Sequence, residues 1–328
     1  MSLPPVNAAR TACLALGLLV AMPGLAATGA PPLPIAAVPA AGARILAEYD
    51  GRAFAVGAPG IEAWIRRCAD IVSIYYGRFS APTLRLRIAA TPGAGVRNGK
   101  AYPGLGSGVE IRVGRDTTAA ALASDWVLVH EMIHLALPEL EESHHWLSEG
   151  LATYVEGMAR VGAGDMTAEA LWQEYAESMP KGEPGAGDAG LNHTPTWART
   201  YWGGALFCLN ADVAIREATA NRRGLQDALR AILAASGGMS VEWPIEKVFA
   251  VGDAATGTDV LARLYAANRD RPVTTDLVAL WSRLGISIVD GRARLDDSAP
   301  LAVLRIALTA PIPGSTAVPV EIIVRAPR

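Results

Sequence analysis

Along residues 59–76, apolar side chains recur at helical spacing. Ile61, Trp64, Ile65, Cys68, Ile71, Val72 and Tyr75 fall on one stripe, and Gly77 follows as a stop. The period then drops to two. Leu84, Leu86 and Ile88 alternate with Arg85 and Arg87, and Val109, Ile111 and Val113 alternate with Glu110 and Arg112, so both segments are predicted strands. A long apolar-faced helix is predicted over 118–136, ended by Pro138, and a second over 145–161, stopped by Gly162. Helical spacing also fits 168–179, 197–219, 225–235 and 259–267. Residues 180–195 are rich in Gly and Pro, a long loop suited to rimming a cleft. Asp290-Gly291, between the short runs 286–289 and 292–295, has the chemistry of a two-residue hairpin turn. No internal repeat is visible. The expected order is a strand-and-helix first lobe, divided near 140–145 from a helical second lobe, together spanning 44–285. The remaining 286–328 is expected as a hairpin and tail packed on them.

The first residues follow a different logic. Arg10 is a short positive region, Thr11 to Met22 is an apolar run broken only by Gly17, and small residues follow at Gly24, Ala26 and Ala27. That is the form of an export signal over 1–26. The run is about a dozen residues, against the roughly 18 to 20 a membrane-spanning helix needs, although an uncleaved anchor is the rival reading. Cys13 lacks the setting of a lipoprotein box. Residues 27–43, with Pro31, Pro32, Pro34 and Pro39, suit an extended linker. The expectation is an exported chain, periplasmic or secreted, with no membrane span in the mature part. In that compartment Cys68 and Cys208 have two possible fates, a disulfide or two buried thiols on helix stripes.

Charge removes one class of partner. A formal net charge of -3, with 19% charged residues and no Lys/Arg cluster, leaves no basic footprint for nucleic acid.

The chemistry concentrates in His130-Glu131-Met132-Ile133-His134, inside the predicted 118–136 helix. Histidines four apart share a helix face and can address one cation, while Glu131, rotated about 100°, can act on a water there without ligating. Two surface histidines on an amphipathic helix are the plain alternative. It suits this segment poorly, because Leu122, Trp126, Val127, Val129 and Ile133 make the helix apolar. A catalytic zinc site needs a third protein ligand and an open position. The metzincin continuation is absent, since Leu137 and Leu140 stand where a glycine and a histidine would be required. Glu149 is the better candidate, in the first turns of the helix after a short connection, and His144 and His145 compete with it.

The motif followed by Trp146-Leu147-Ser148-Glu149-Gly150 and a helical Ala152-Thr153-Tyr154 resembles the gluzincin metallopeptidases, nearest their glycyl- and alanyl-aminopeptidase branch. The resemblance implies an α+β, zincin-like catalytic core, a zinc ion on His130, His134 and Glu149, and Glu131 as the base acting on a peptide or protein substrate. It also implies that Glu156 is a partner orienting a ligand histidine, for which a solvated carboxylate is the alternative. Tyr201-Trp202-Gly203-Gly204, followed by Asp212-Val213-Ala214-Ile215-Arg216, is similar to the segment that carries a catalytic tyrosine in this branch. By that likeness Tyr201 donates to the oxyanion, Gly203 and Gly204 allow close helix packing, and Asp212 supports the site from behind. Tyr154 is the rival tyrosine. Aminopeptidases of the clan bind the free amine with a glutamate on an edge strand, and Glu110 stands in a comparable place without the full Gly-x-Met-Glu-Asn pattern. Aminopeptidase specificity through Glu110 is therefore one alternative. A non-catalytic exported protein that holds zinc or peptide is another.

Overall fold

The computed structural model describes residues 43–103, 107–312 and 320–325. The expected export signal, and all of the linker but Ala43, lie outside them. Strand β1 (Arg44–Glu48) leads through helix α1 (Gly57–Tyr76) to strand β2 (Thr83–Thr91), which pairs with β1 in parallel, Ile45 opposite Leu84 and Ala47 opposite Leu86. Strands β3 (Val96–Tyr102) and β4 (Ser107–Gly114) follow. β4 runs parallel to β2 on its other side, and β3 folds back antiparallel on β4. The order is β3-β4-β2-β1-β7, where β7 (Glu321–Arg325) pairs in parallel with β1.

Alternation sorts this sheet into two faces. Ile45, Ala47, Leu84, Leu86, Ile88, Val109, Ile111 and Val113 are buried under helices. Arg85, Arg87, Glu110 and Arg112 face solvent. Each buried aliphatic contributes about 1.5–3 kcal/mol, so slipping β2 or β4 by one residue is prohibitive. The α1 stripe predicted from the sequence is the buried one, and the helix ends at Gly77 in the left-handed region (φ 75°).

The helix predicted over 118–136 is instead two. Helix α2 (Ala119–Ala123) is capped by Thr118, and helix α3 (Val127–His134) starts afresh. The cause is Asp125. Its buried carboxylate accepts hydrogen bonds from the backbone of Val127 (3.1 Å) and Leu128 (3.2 Å) and from Trp64 Nε1 (3.0 Å). A side chain that satisfies the first amides of a new helix outcompetes continuation of the old one.

Helix α4 (His145–Gly162) runs back along α3, and α5 (Ala168–Ser178) follows a Thr167 cap. Where a single helix was expected over 197–219, a π-helical turn (Arg199–Gly203) precedes α6 (Gly204–Ala218). Helices α7 (Leu225–Ser236), α8 (Ile245–Thr256), α9 (Val260–Asn268) and α10 (Leu277–Leu284) complete the helical part. The predicted hairpin is present as β5 (Ile286–Val289) and β6 (Arg292–Leu295), with Asp290 (φ 52°) and Gly291 (φ 70°) in its turn. Helix α11 (Ala302–Leu308) follows. The tail continues into β7, a member of the first sheet that the sequence pattern did not reveal. β1, β3, α8, α10 and α11 were likewise not assigned from the sequence.

The fold is mixed α+β, a small sheet with many helices, as the sequence predicted. Cys68 and Cys208 are both buried free thiols, which decides between the two fates left open for them. Among the described residues, no helix is long and apolar enough to cross a membrane.

Candidate metal centre

Helix α3 is buried along its whole length, including His130, Glu131 and His134. It is seated by the Asp125 cap at its start and by contact with α1, α4 and edge strand β3. The histidines present their imidazoles to α4, where Glu149 waits in the first turns. Glu149 Oε2 lies 3.2 Å from His130 Nε2 and 3.5 Å from His134 Nε2. One ligand atom from each of the three falls within 4.8 Å of the others. For ligand bonds of about 2.0–2.1 Å, a tetrahedral ion separates its ligands by about 3.3 Å. The two separations from Glu149 lie near that edge length, so two imidazoles and a carboxylate suit zinc as a donor set. His134 Nδ1 is 3.0 Å from Ser148 Oγ, a contact that leaves Nε2 for a cation.

The charges respond to this crowding. Burial penalises the Glu149 carboxylate, yet His134 and His130 hold it well below the usual carboxylate range. Burial likewise opposes a charged His134, but Glu149 and Glu131 prevail and raise it to about 9. Glu131 moves the other way. Its burial pushes the carboxyl up against the pull of both histidines, and the Ala101 backbone on β3 hydrogen-bonds to it. Gly99 leaves room for it, since a Cβ there would stand 2.5 Å from Glu131 Cγ.

Tyr201 enters from the π-helical turn. Its ring stacks on His130, with centroids 6.4 Å apart and planes at 20°. Its hydroxyl hydrogen-bonds to Glu149, and burial and the Glu149 and Glu131 charges raise its pKa. π-helical turns are frequent at functional sites, and this one is tied down on its far side. Arg199 Nε lies 2.7 Å from Asp188 Oδ2, and its Nη1 donates to Gly182 O. Below the turn, α6 crosses α4 at two glycines. A Cβ on Gly150 would lie 2.2 Å from Gly204 Cα, and one on Gly204 would lie 2.1 Å from Trp146 O. This near-contact of backbones, next to Glu149, brings Tyr201 to the ligands.

Of the other expected residues, only His145 reaches Glu149. Tyr154, the rival tyrosine, is buried and donates to Asp212 Oδ2 (3.0 Å). Asp212 also accepts from Arg216 Nε (2.9 Å) and the Leu225 backbone (3.0 Å), so it joins α4, α6 and α7. Glu156 is buried, not solvated. It pairs with Arg160 Nη1 at 2.9 Å, and Arg160 Nε in turn meets Asp165 Oδ2 at 2.8 Å, the carboxylate that Arg67 of α1 also holds. His144 turns away to Tyr265 OH (3.0 Å). His145 Nε2 approaches Glu149 Oε1 at 3.5 Å from an exposed position. Glu110 corrects an expectation. It sits on β4, an inner strand between β2 and β3, and points to the solvated face beside Arg87 (3.7 Å). Glu131 packs against Gly99 and Ala101, which pair with Ile111 and Val109 of β4. Those β4 residues are buried on the other face, so Glu110 is on the wrong side of the sheet to meet an amine at the metal centre. The sequence pattern assigns no role to Ser148, Asp125 or Arg199. Only Ser148 carried a signal, its place inside the Trp-Leu-Ser-Glu-Gly block.

No protein-family model matches the chain, and no curated protein matches it. Among solved structures it is similar to an aminopeptidase N family protein from Idiomarina loihiensis, at 14% identity and a TM-score of 0.55, over 77% of this chain and 49% of that one. An M1 zinc metallopeptidase from Deinococcus radiodurans matches at 15% identity and a TM-score of 0.42, over 64% of this chain and 44% of that one. The chain thus spans about half the length of these structures. The first likeness shows the fold alone, one shared with that aminopeptidase N family structure.

Proposed function

We propose that this chain is an exported zinc metallopeptidase, with the ion held by His130, His134 and Glu149. The observation that carries the reading is the convergence of these donors within 4.8 Å of one another, with Glu131 and Tyr201 beside them. When bound, zinc supplies Lewis-acid polarisation of the scissile carbonyl and a lowered pKa for water. Glu131 takes the proton of the attacking water and returns it to the leaving amine. Burial raises the pKa of this carboxyl, the direction that favours accepting and then returning a proton. Tyr201, whose raised pKa keeps the hydroxyl protonated, donates to the oxyanion as it forms. Ser148 fixes the orientation of His134.

Amine anchoring through Glu110 has no support in this arrangement, so the proposal is for peptide-bond hydrolysis without a free N-terminus as a requirement. A protein that merely holds zinc has no use for a buried carboxylate beside the donors, which argues against the non-catalytic alternative. Export rests on residues 1–26, and a mature chain beginning near Ala27 is its test. The decisive experiment is Glu131→Gln. The purified parent should carry about one zinc per chain and show chelator-sensitive peptide turnover, and the variant should keep the zinc and lose the turnover. A Gln variant as active as the parent would overturn the mechanism.

A further inference from the structure

We propose that Trp197 is a specificity-determining platform that selects peptides with an aromatic side chain close to the scissile bond. The inference deepens the peptidase reading and rests on it. Trp197 is the single exposed aromatic side chain among the described residues. It is 42% exposed, and the other exposed large apolar side chains are all Val or Ile. It is also the one placed at the metal centre. Its ring stacks on Tyr201, with centroids 5.8 Å apart and planes at 28°, and Tyr201 stacks on His130. The two contacts link the ligand histidine through Tyr201 to an indole with exposed surface, which has no other aromatic contact among the described residues.

Hydrogen bonds and an ion pair hold the backbone on either side of Trp197. Thr196 Oγ1 accepts from the Arg199 backbone (3.3 Å) where the helical segment begins. The preceding loop is pinned to α9 by Leu191 N to Asn268 O (2.9 Å) and to the residue beyond it by Asn192 N to Arg269 O (3.0 Å). Asp188 and Gly182 O hold Arg199 two residues after Trp197. A large apolar ring already stacked on Tyr201 loses less freedom when a second ring stacks on it. Its chemistry favours a planar apolar partner, stacked offset or edge-on.

The test uses the full-length mature protein carrying Glu131→Gln, so that peptides persist during calorimetry. Peptides of alanine background receive a single Phe, Ala or Lys, scanned across the positions flanking the bond. At one position Phe should bind about 2- to 10-fold tighter than Ala, the range that aromatic pairs supply. Trp197→Ala should bring that ratio near one, and Trp197→Phe should retain most of it. Thermal denaturation checks that the fold is intact, with Trp197→Leu as a second variant. An unchanged Phe-to-Ala ratio in Trp197→Ala overturns the platform. So does an equal loss for every peptide, or a preference for Lys over Phe. Chelator-sensitive turnover of the alanine peptide by the parent tests the peptidase reading separately, and absence of both turnover and binding overturns the two together.

Discussion

The crossing of α4 and α6 offers the sharpest link between backbone packing and the proposed chemistry. In Gly150→Ala, the new methyl would stand 2.2 Å from Gly204 Cα, 2.3 Å from Gly204 C and 2.7 Å from Ala205 N. Carbon atoms in contact sit about 3.5–4.0 Å apart, so the deficit is more than about 1 Å, and every atom in the way is backbone. No rotamer change relieves it, and the helices must part. Overpacking of this kind costs about 1–3 kcal/mol, which for a chain this size lowers Tm by roughly 2–5 °C. The functional loss should be larger than the stability loss. Glu149 is the residue before Gly150, and Tyr201 lies one turn before Gly204, so separation pulls the proposed third ligand from the proposed oxyanion donor. Misplacing reacting groups by about 1 Å can cost on the order of 100-fold in rate. Differential scanning calorimetry, zinc content and peptide turnover measure the three effects. Gly185→Ala is the control, since a Cβ there meets nothing within 4 Å. If Gly150→Ala matches the parent in all three, the account of how the site is assembled is wrong.

Glu149→Ala should lose zinc as fully as His130→Ala or His134→Ala, whereas His145→Ala should retain it; the opposite pattern by metal analysis would reassign the third ligand. Tyr201→Phe should keep zinc and lose about 10²- to 10³-fold in turnover with little change in substrate affinity. Tyr154→Phe, by contrast, should register in stability through its bond to Asp212, and a crippled Tyr154→Phe beside a fully active Tyr201→Phe would exchange their roles. Asp125 should leave a mark on the pH dependence of folding. Burial raises its carboxyl from the ordinary 3.8 to about 6 against its backbone and Trp64 hydrogen bonds, a difference of about 3 kcal/mol at 1.36 kcal/mol per pH unit. A carboxyl raised on folding favours the folded state below pH 3.8, and that contribution is lost as pH rises through 6. Unfolding free energy of the parent relative to Asp125→Asn should therefore fall between pH 4 and pH 7, and a difference that is flat or rising rejects the assignment.

What could be read from the sequence, and what could not, divides by the range of the interaction responsible. The pairing of His130 with His134 is fixed by one turn of helix, so it needed no knowledge of the fold. The α1 stripe and the alternation in β2 and β4 are equally local, because each records which side of its own element is buried. The break at Asp125 lay at the limit of such reading. Apolar periodicity runs straight through residues 122–133, and only the reach of one carboxylate to Val127 and Leu128, steadied by Trp64 from α1, divides the helix. Glu110 shows the limit itself. Its strand was found, but its neighbour was not, because Val96–Tyr102 is an edge strand with no face buried enough to impose alternation on VRNGKAY. Without β3, β4 looked like the edge, and a carboxylate on the solvated face looked like one beside the substrate. β7 escaped for the same reason, its partner being β1, far back along the chain. The ring contacts from His130 to Trp197 join the two ranges. The step between Trp197 and Tyr201 is one helical turn and was open to reading. The step from Tyr201 to His130 goes with the Gly150–Gly204 crossing, and only the folded chain brings an exposed tryptophan toward the candidate metal centre.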